Sequence, residues 1–288
     1  MAASSSPSAH ALVGSFESVN VTKKQDKVMK LNERAVIALF ETGQWRTVKR
    51  HAGETRAENA RHGLVDEARV DVKICSHPAL EMIQSILSSA RAEHYRLSLP
   101  AGEKGLRLLP GARQLEHSQA MADFAAKFRY LVAEFCSAYE GVRLSAPARL
   151  NGLYVAAQWP DVETVRGSFR FATRYLPVPA MGQWDEWLAE AAGEAETDLR
   201  ARLAEAIRAV AVKLADTKGV FRDSLIGNLK ELLALAPDLN LRDDPEITAL
   251  CNAAADVVRE EPDTLREDKP VRAKVAQRAA DLCSMFKL

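Results

Sequence analysis

At 288 residues and 47% hydrophobic side chains, the chain can bury a full core, as one large domain or two ordinary ones. Its 39 basic residues balance 39 acidic ones, so no global field draws it to nucleic acid or anionic lipid; such binding would need a local patch. Aromatic content is 6%, and the abundance of Ala, Leu, Arg and Glu points to a mainly α fold with minor β.

Residues 1–22 read as a disordered tail, rich in Ala and Ser with Glu17 as the single acid. The apolar run Ala11 to Val13 is too short for a signal peptide. No stretch approaches the roughly 18 apolar residues of a membrane span, so no membrane partner is expected. Cys75, Cys136, Cys251 and Cys283 share no metal or redox spacing and read as unpaired thiols of a reducing cytoplasm.

Ordered structure is expected from Lys23. Val28, Leu31, Val36, Ile37 and Phe40 suggest a helix over Lys27 to Phe40, stopped by Gly43. Trp45 to Val65 has no apolar period and reads as a loop or weak helix. Val70, Val72 and Ile74 alternate with polar residues, predicting a half-buried strand over 70–74. Pro78 opens a helix running to about Tyr95, and the segments within 96–109 form either a hairpin or an irregular arm.

From Ala112 to Val142, Met121, Phe124, Phe128, Leu131, Phe135, Ala138 and Val142 recur at three- and four-residue steps. Arg143 to Ala157 reads as a separate helix with Pro147 in its first turn, followed by a short helix over 162–169. Phe169, Phe171 and Tyr175 suggest a strand over 169–176 before Pro177-Val178-Pro179. Trp184 to Asp216 is a second long helix, and three shorter helices follow: Phe221 to Leu235, Pro245 to Arg259 and Pro270 to Phe286. The implied division is an N-terminal helical domain over 23–178 with a small β element and a C-terminal bundle over 179–288, with one continuous domain as the alternative.

Phosphate-cradling loops, dinucleotide fingerprints and nucleophile elbows are absent from the sequence. None of the six histidines stands at ligand spacing with another or with a cysteine, so neither metal nor cofactor is expected. Asp243, Asp244 and Glu246 could hold a cation, but an acidic helix start accounts for them more simply. Arg222, Asp223, Ser224 and Asn228 form a polar cluster that an enzyme with a dispersed site would draw on; a helix cap and junction is the simpler reading.

The one charge asymmetry lies in residues 1–62, with basic residues in excess. Trp45, Arg46, Lys49, Arg50, Arg56 and Arg61 could form an arm tracking a phosphate backbone with Trp45 stacked on a base, joined by Arg91, Tyr95 and Arg96. A solvated loop with Trp45 anchored in the core is the competing and favoured reading. The long amphipathic stripes favour packing within the chain, with exposed ends joining copies into a homo-oligomer.

The order of several short segments carries a resemblance. Asn32 to Arg50, Ala90 to Arg96, Gly105 to Pro110, Ala148 to Leu153, Trp159-Pro160, Phe169-Arg170-Phe171, Phe221 to Leu229 and Leu239-Asn240-Leu241 follow one another as in a family of uncharacterised proteins of tailed phages and prophages. The resemblance covers residues 28–255 and implies a phage-encoded setting in a bacterial cytoplasm, without an activity or catalytic residue. The function expected is non-enzymatic, as a helical oligomer or an adaptor for another phage-encoded protein. The alternative is a protein that binds single-stranded DNA or RNA in phage replication or recombination.

Overall fold

The computed structural model describes residues 31–102, 105–179, 184–216 and 219–287. The expected tail over 1–22 and the start of the first expected helix lie outside them. The fold is mainly α with minor β, in two compact units that interleave along the chain. The first unit holds residues up to Ala38, Leu97–Leu115 and Tyr175 onward; the second holds Leu39–Arg96 and Glu116–Arg174. This differs from a single division after residue 178, because β1 (Ala35–Gly43), α2 (Pro78–Leu97), α3 (Gln114–Leu150) and β6 (Arg170–Pro177) each run through a boundary.

A helical turn at 31–34 passes directly into β1, where a helix to Phe40 was expected. A short apolar run such as Ala35-Val36-Ile37-Ala38-Leu39-Phe40 fits either state by periodicity, and its β-branched and aromatic content favours the strand. Of the loop or weak helix expected over 45–65, the helix is present as α1 (Ala52–His62), and it is preceded by an unexpected strand, β2 (Val48–Arg50). β2 pairs antiparallel with β3 (Asp71–Lys73) in the register Val48↔Lys73, Lys49↔Val72, Arg50↔Asp71. β4 (Leu99–Pro100) and β5 (Leu106–Pro110) form the hairpin, with Leu99 opposite Leu108 and Pro100 opposite Arg107. Gly102 lies in their connection at φ +76°, and a Cβ there would stand 3.5 Å from Trp187 Nε1.

In the second unit the core is the inner stripe of α3, carrying Phe128, Leu131, Val132, Phe135 and Tyr139, against Ile74, Ile83 and Leu87. The helix does not end near Val142 but continues to Leu150 with Pro147 inside. Near the C-terminal end of a helix, proline forfeits one backbone bond without a long helical run beyond it to disrupt. Short 3₁₀ turns, α4 (Val162–Ser168) and β6 follow.

The first unit is built on α5 (Asp185–Ala215), whose buried stripe includes Leu188, Leu199, Leu203, Ile207, Val210 and Leu214. α6 (Ser224–Leu239), α7 (Pro245–Ala255), α8 (Pro262–Glu267) and α9 (Lys269–Met285) complete the bundle, with α9 lying along α5. α8 has no counterpart among the expected elements, being too short to display a period. α6 runs through Pro237 to Leu239, past the expected end at Leu235.

Candidate functional site

The basic segment of the sequence folds as a ribbon and a helix, not as an arm. Its aromatic is withdrawn: Trp45 is 7% exposed and packs on Phe135, Tyr139 and Trp159 with ring centroids at 6.0, 5.5 and 5.7 Å. Only a small part of Trp45 stays exposed, too little for a base to stack on; the core anchor expected of it holds, and the solvated loop expected around it does not. Beneath it the Tyr139 hydroxyl donates to the Pro160 carbonyl at 2.8 Å, and burial pushes its pKa up to about 12.

α1 buries no apolar side chain; its inward residues are Thr55 and Asn59. Hydrogen bonds replace the missing core. The Asn59 amide donates to the carbonyls of Thr55 (3.0 Å) and Ala68 (3.1 Å), while its oxygen accepts from Ala68 N–H at 2.9 Å. Val70 N–H donates to the Thr55 hydroxyl at 3.1 Å, and His51 Nδ1 caps the helix by accepting from Glu54 N–H. Gly63 ends it in the left-handed conformation at φ +65°. A helix held in this way carries no hydrophobic period for a sequence reading to find.

The cations of this region divide into committed and uncommitted groups. Arg50 pairs with Asp66 at 3.1 Å, Arg61 with Glu58, and Arg69 with Asp71 at 2.9 Å. Arg96 is locked by Glu93 (2.7 Å) and Glu116 (2.9 Å), which raise its pKa. Arg91 donates to Thr42 at 3.3 Å, and Tyr95 is half exposed beside His94. Among the described residues, Arg46, Lys49 and Arg56 have no carboxylate at ion-pair distance. The nine residues expected to meet nucleic acid therefore do not form one available set.

Two concavities adjoin these cations. One is a groove of about 500 Å³ along α1, where Leu64 and Val65 lie beside Ala52, Ala60, Arg50 and Arg56. Val65 is 91% exposed and Leu64 40%. The other is a cleft of about 520 Å³ lined by 44–48, Lys73 and the start of α2.

Arg222, Asp223, Ser224 and Asn228 are all exposed at the start of α6, and Asp223 is paired with Arg266. They do not enclose a pocket with one another among the concavities described, so they form a helix start. Asp244 accepts from the Glu246 and Ile247 amides and is bridged with Glu246 by Arg200, both at 2.6 Å. The Arg200 guanidinium and the amides hold its carboxyl below the usual range against the opposing effect of burial, and the carboxylates are spent on a helix cap. No group of three metal-ligating side chains occurs among the described residues.

Two features had no signal in the sequence. His94 and His117 are both buried, their Nδ1 and Nε2 atoms 2.9 Å apart. Burial lowers the His117 pKa, opposed by Glu93. Arg272 is buried at 8% exposure and donates to the carbonyls of Leu214 (3.0 Å), Lys213 (3.2 Å), Asp216 (2.5 Å) and Gly219 (3.0 Å). Compared with protein-family models, with curated proteins and with solved structures, the chain matches none. No described helix is long and apolar enough to cross a membrane.

Proposed function

We propose that this protein acts by binding, as an adaptor that holds an apolar, acidic segment of a partner protein in the groove along α1. The observation that carries the reading is the adjacent exposed pair Leu64 and Val65 in a groove that also presents the uncommitted Arg56. Exposed aliphatic side chains supply area for burial, about 25 cal/mol per Å², and Arg56 selects for a carboxylate near them. A phage or prophage setting, which the order of segments resembles, would supply that partner from a neighbouring gene. The test uses a fluorescent peptide of alternating Leu and Glu. Saturable binding that weakens about tenfold in Val65→Asp and in Arg56→Glu is the expected result. Equal affinity of both variants and the parent chain would remove the groove from the function, and concentration-dependent mass in light scattering, lost in Val65→Asp, would make the partner a second copy.

A second reading rests on a separate observation: Arg46, Lys49 and Arg56 have no carboxylate partners among the described residues, and Arg46 and Arg56 are exposed. Three such cations support weak, salt-sensitive contact with a single-stranded phosphate backbone and no base stacking. Titrating labelled single-stranded DNA at low and moderate salt tests it. An affinity unchanged in the triple alanine variant of these residues would exclude these cations.

A further inference from the structure

Beyond Thr47 and Ile74, whose carbonyl and amide meet at 2.8 Å, the β2–β3 ladder ends. The residues past that break line the cleft of about 520 Å³, inside the roughly 300–1,000 Å³ range of small-molecule sites. Its apolar part is Val48 and Leu80 with the little of Trp45 that remains exposed, and its rim carries Arg46 and Lys73. Arg46 has no carboxylate partner among the described residues. Lys73 stands 3.9 Å from Glu81, beyond the roughly 2.7–2.9 Å of a charge-assisted hydrogen bond, so its ammonium keeps donors to give. Two further polar groups of the lip are engaged: Gln44 Nε2 donates to Gln84 Oε1 at 2.8 Å, and His77 Nδ1 accepts from Ala79 N–H at 3.2 Å.

We propose that this cleft binds a small organic oxyanion, a carboxylate or phosphate joined to a compact apolar body. The body lies against Val48, Leu80 and the small part of Trp45 that the core leaves exposed, where burial of apolar area drives association. The oxyanion takes the planar fork of Arg46, which suits two oxygens at once, together with the Lys73 ammonium. Glu81, exposed beside Lys73, opposes a second negative charge in the cleft, which selects ligands with one anionic end. This site does not depend on the α1 groove, and Val65→Asp leaves it intact.

Isothermal titration of the full chain with phenyl phosphate, benzoate, benzyl alcohol and inorganic phosphate tests the proposal. Phenyl phosphate or benzoate binds one to one, benzyl alcohol and inorganic phosphate bind at least tenfold more weakly, and Arg46→Met and Lys73→Met each weaken the favoured ligand about tenfold. Both variants change exposed side chains, and an unchanged circular dichroism spectrum verifies their folding. Preference for phenyl phosphate over benzoate assigns the oxyanion as phosphate, and the reverse assigns carboxylate. Equal affinity for inorganic phosphate, unchanged affinity in both variants, or no heat with any probe at millimolar concentration overturns the proposal.

Discussion

Arg272 shows how one side chain can close a helix bundle. A buried guanidinium with no carboxylate beside it is costly unless it finds acceptors, and here the carbonyls of Leu214, Lys213, Asp216 and Gly219 take its Nε and Nη2 donors. The C-terminal end of α5 carries negative partial charge, so cation and helix terminus stabilise one another, and the Phe221 ring 5.1 Å from the guanidinium adds a cation–π contact. Arg272→Met keeps the stem and removes the donors. Urea denaturation followed by circular dichroism should show a loss of about 3 kcal/mol, the scale of a charged hydrogen-bond set with buried partners left unmet; a loss below about 1 kcal/mol would mean water replaces the guanidinium. The His94–His117 pair makes the opposite kind of prediction. His117 has its pKa lowered by burial from the ordinary 6.5, so the folded chain binds its proton less readily than the unfolded chain. The stability this group permits is present above pH 6.5, falls as pH drops through 6.5, and goes on falling until the depressed folded value is reached. Melting temperatures between pH 8 and pH 5 should decline less steeply in His117→Gln than in the parent. Parallel profiles would place the acid sensitivity elsewhere.

At the level of elements, α1 is the instructive case. Its side-chain attachment runs from Thr55 to the Val70 amide and from Asn59 to the Ala68 amide and carbonyl, so breaking those hydrogen bonds should release this helix and little else. Asn59→Ala removes two donors and an acceptor at once, a cost of about 1–3 kcal/mol confined to one segment. Hydrogen exchange should then show lost protection over residues 52–70 with the core of α3 unchanged; uniform loss throughout the second unit would show that α1 is integral to its core. The same chemistry explains what the sequence concealed. Long helices such as α3 and α5 bury stripes at helical spacing and were legible from Met121 to Phe135 and from Leu199 to Leu214. β3 was legible from alternation, and the β4–β5 hairpin was one of the two forms open to residues 96–109. A helix fastened by amide hydrogen bonds has no such period, and the run Ala35 to Phe40 satisfies strand and helix periods alike. For the candidate site, the basic residues were visible in the sequence, but which of them were uncommitted was not. Asp66 lies 16 residues from Arg50 and Glu116 lies 20 from Arg96, separations that spacing rules do not reach.

The chain as a whole is organised by its crossings between units, and this sets what can be cut from it. A division after residue 178 would leave α5 to α9 together, yet the first unit also owns residues 31–38 and 97–115. Three ties show what they contribute. Arg34 pairs with Asp243 at 2.6 Å, Arg113 pairs with Asp238 at 2.6 Å, and Arg202 donates to the Ser98 carbonyl at 3.0 Å. Leu99, Leu108 and Leu109 are each almost wholly buried, and β4 packs on α5, so removing the hairpin strips apolar cover from the stripe of that helix. Each fully buried leucine is worth about 2 kcal/mol of transfer free energy, a loss that rivals the roughly 5–15 kcal/mol by which a typical domain is stable. A fragment of residues 179–288 is therefore expected to keep helical circular dichroism while losing a cooperative thermal transition, whereas the full chain shows one. A sharp transition in the fragment, within a few degrees of the parent, would show that the helices close on themselves and that the earlier segments are additions to a finished bundle.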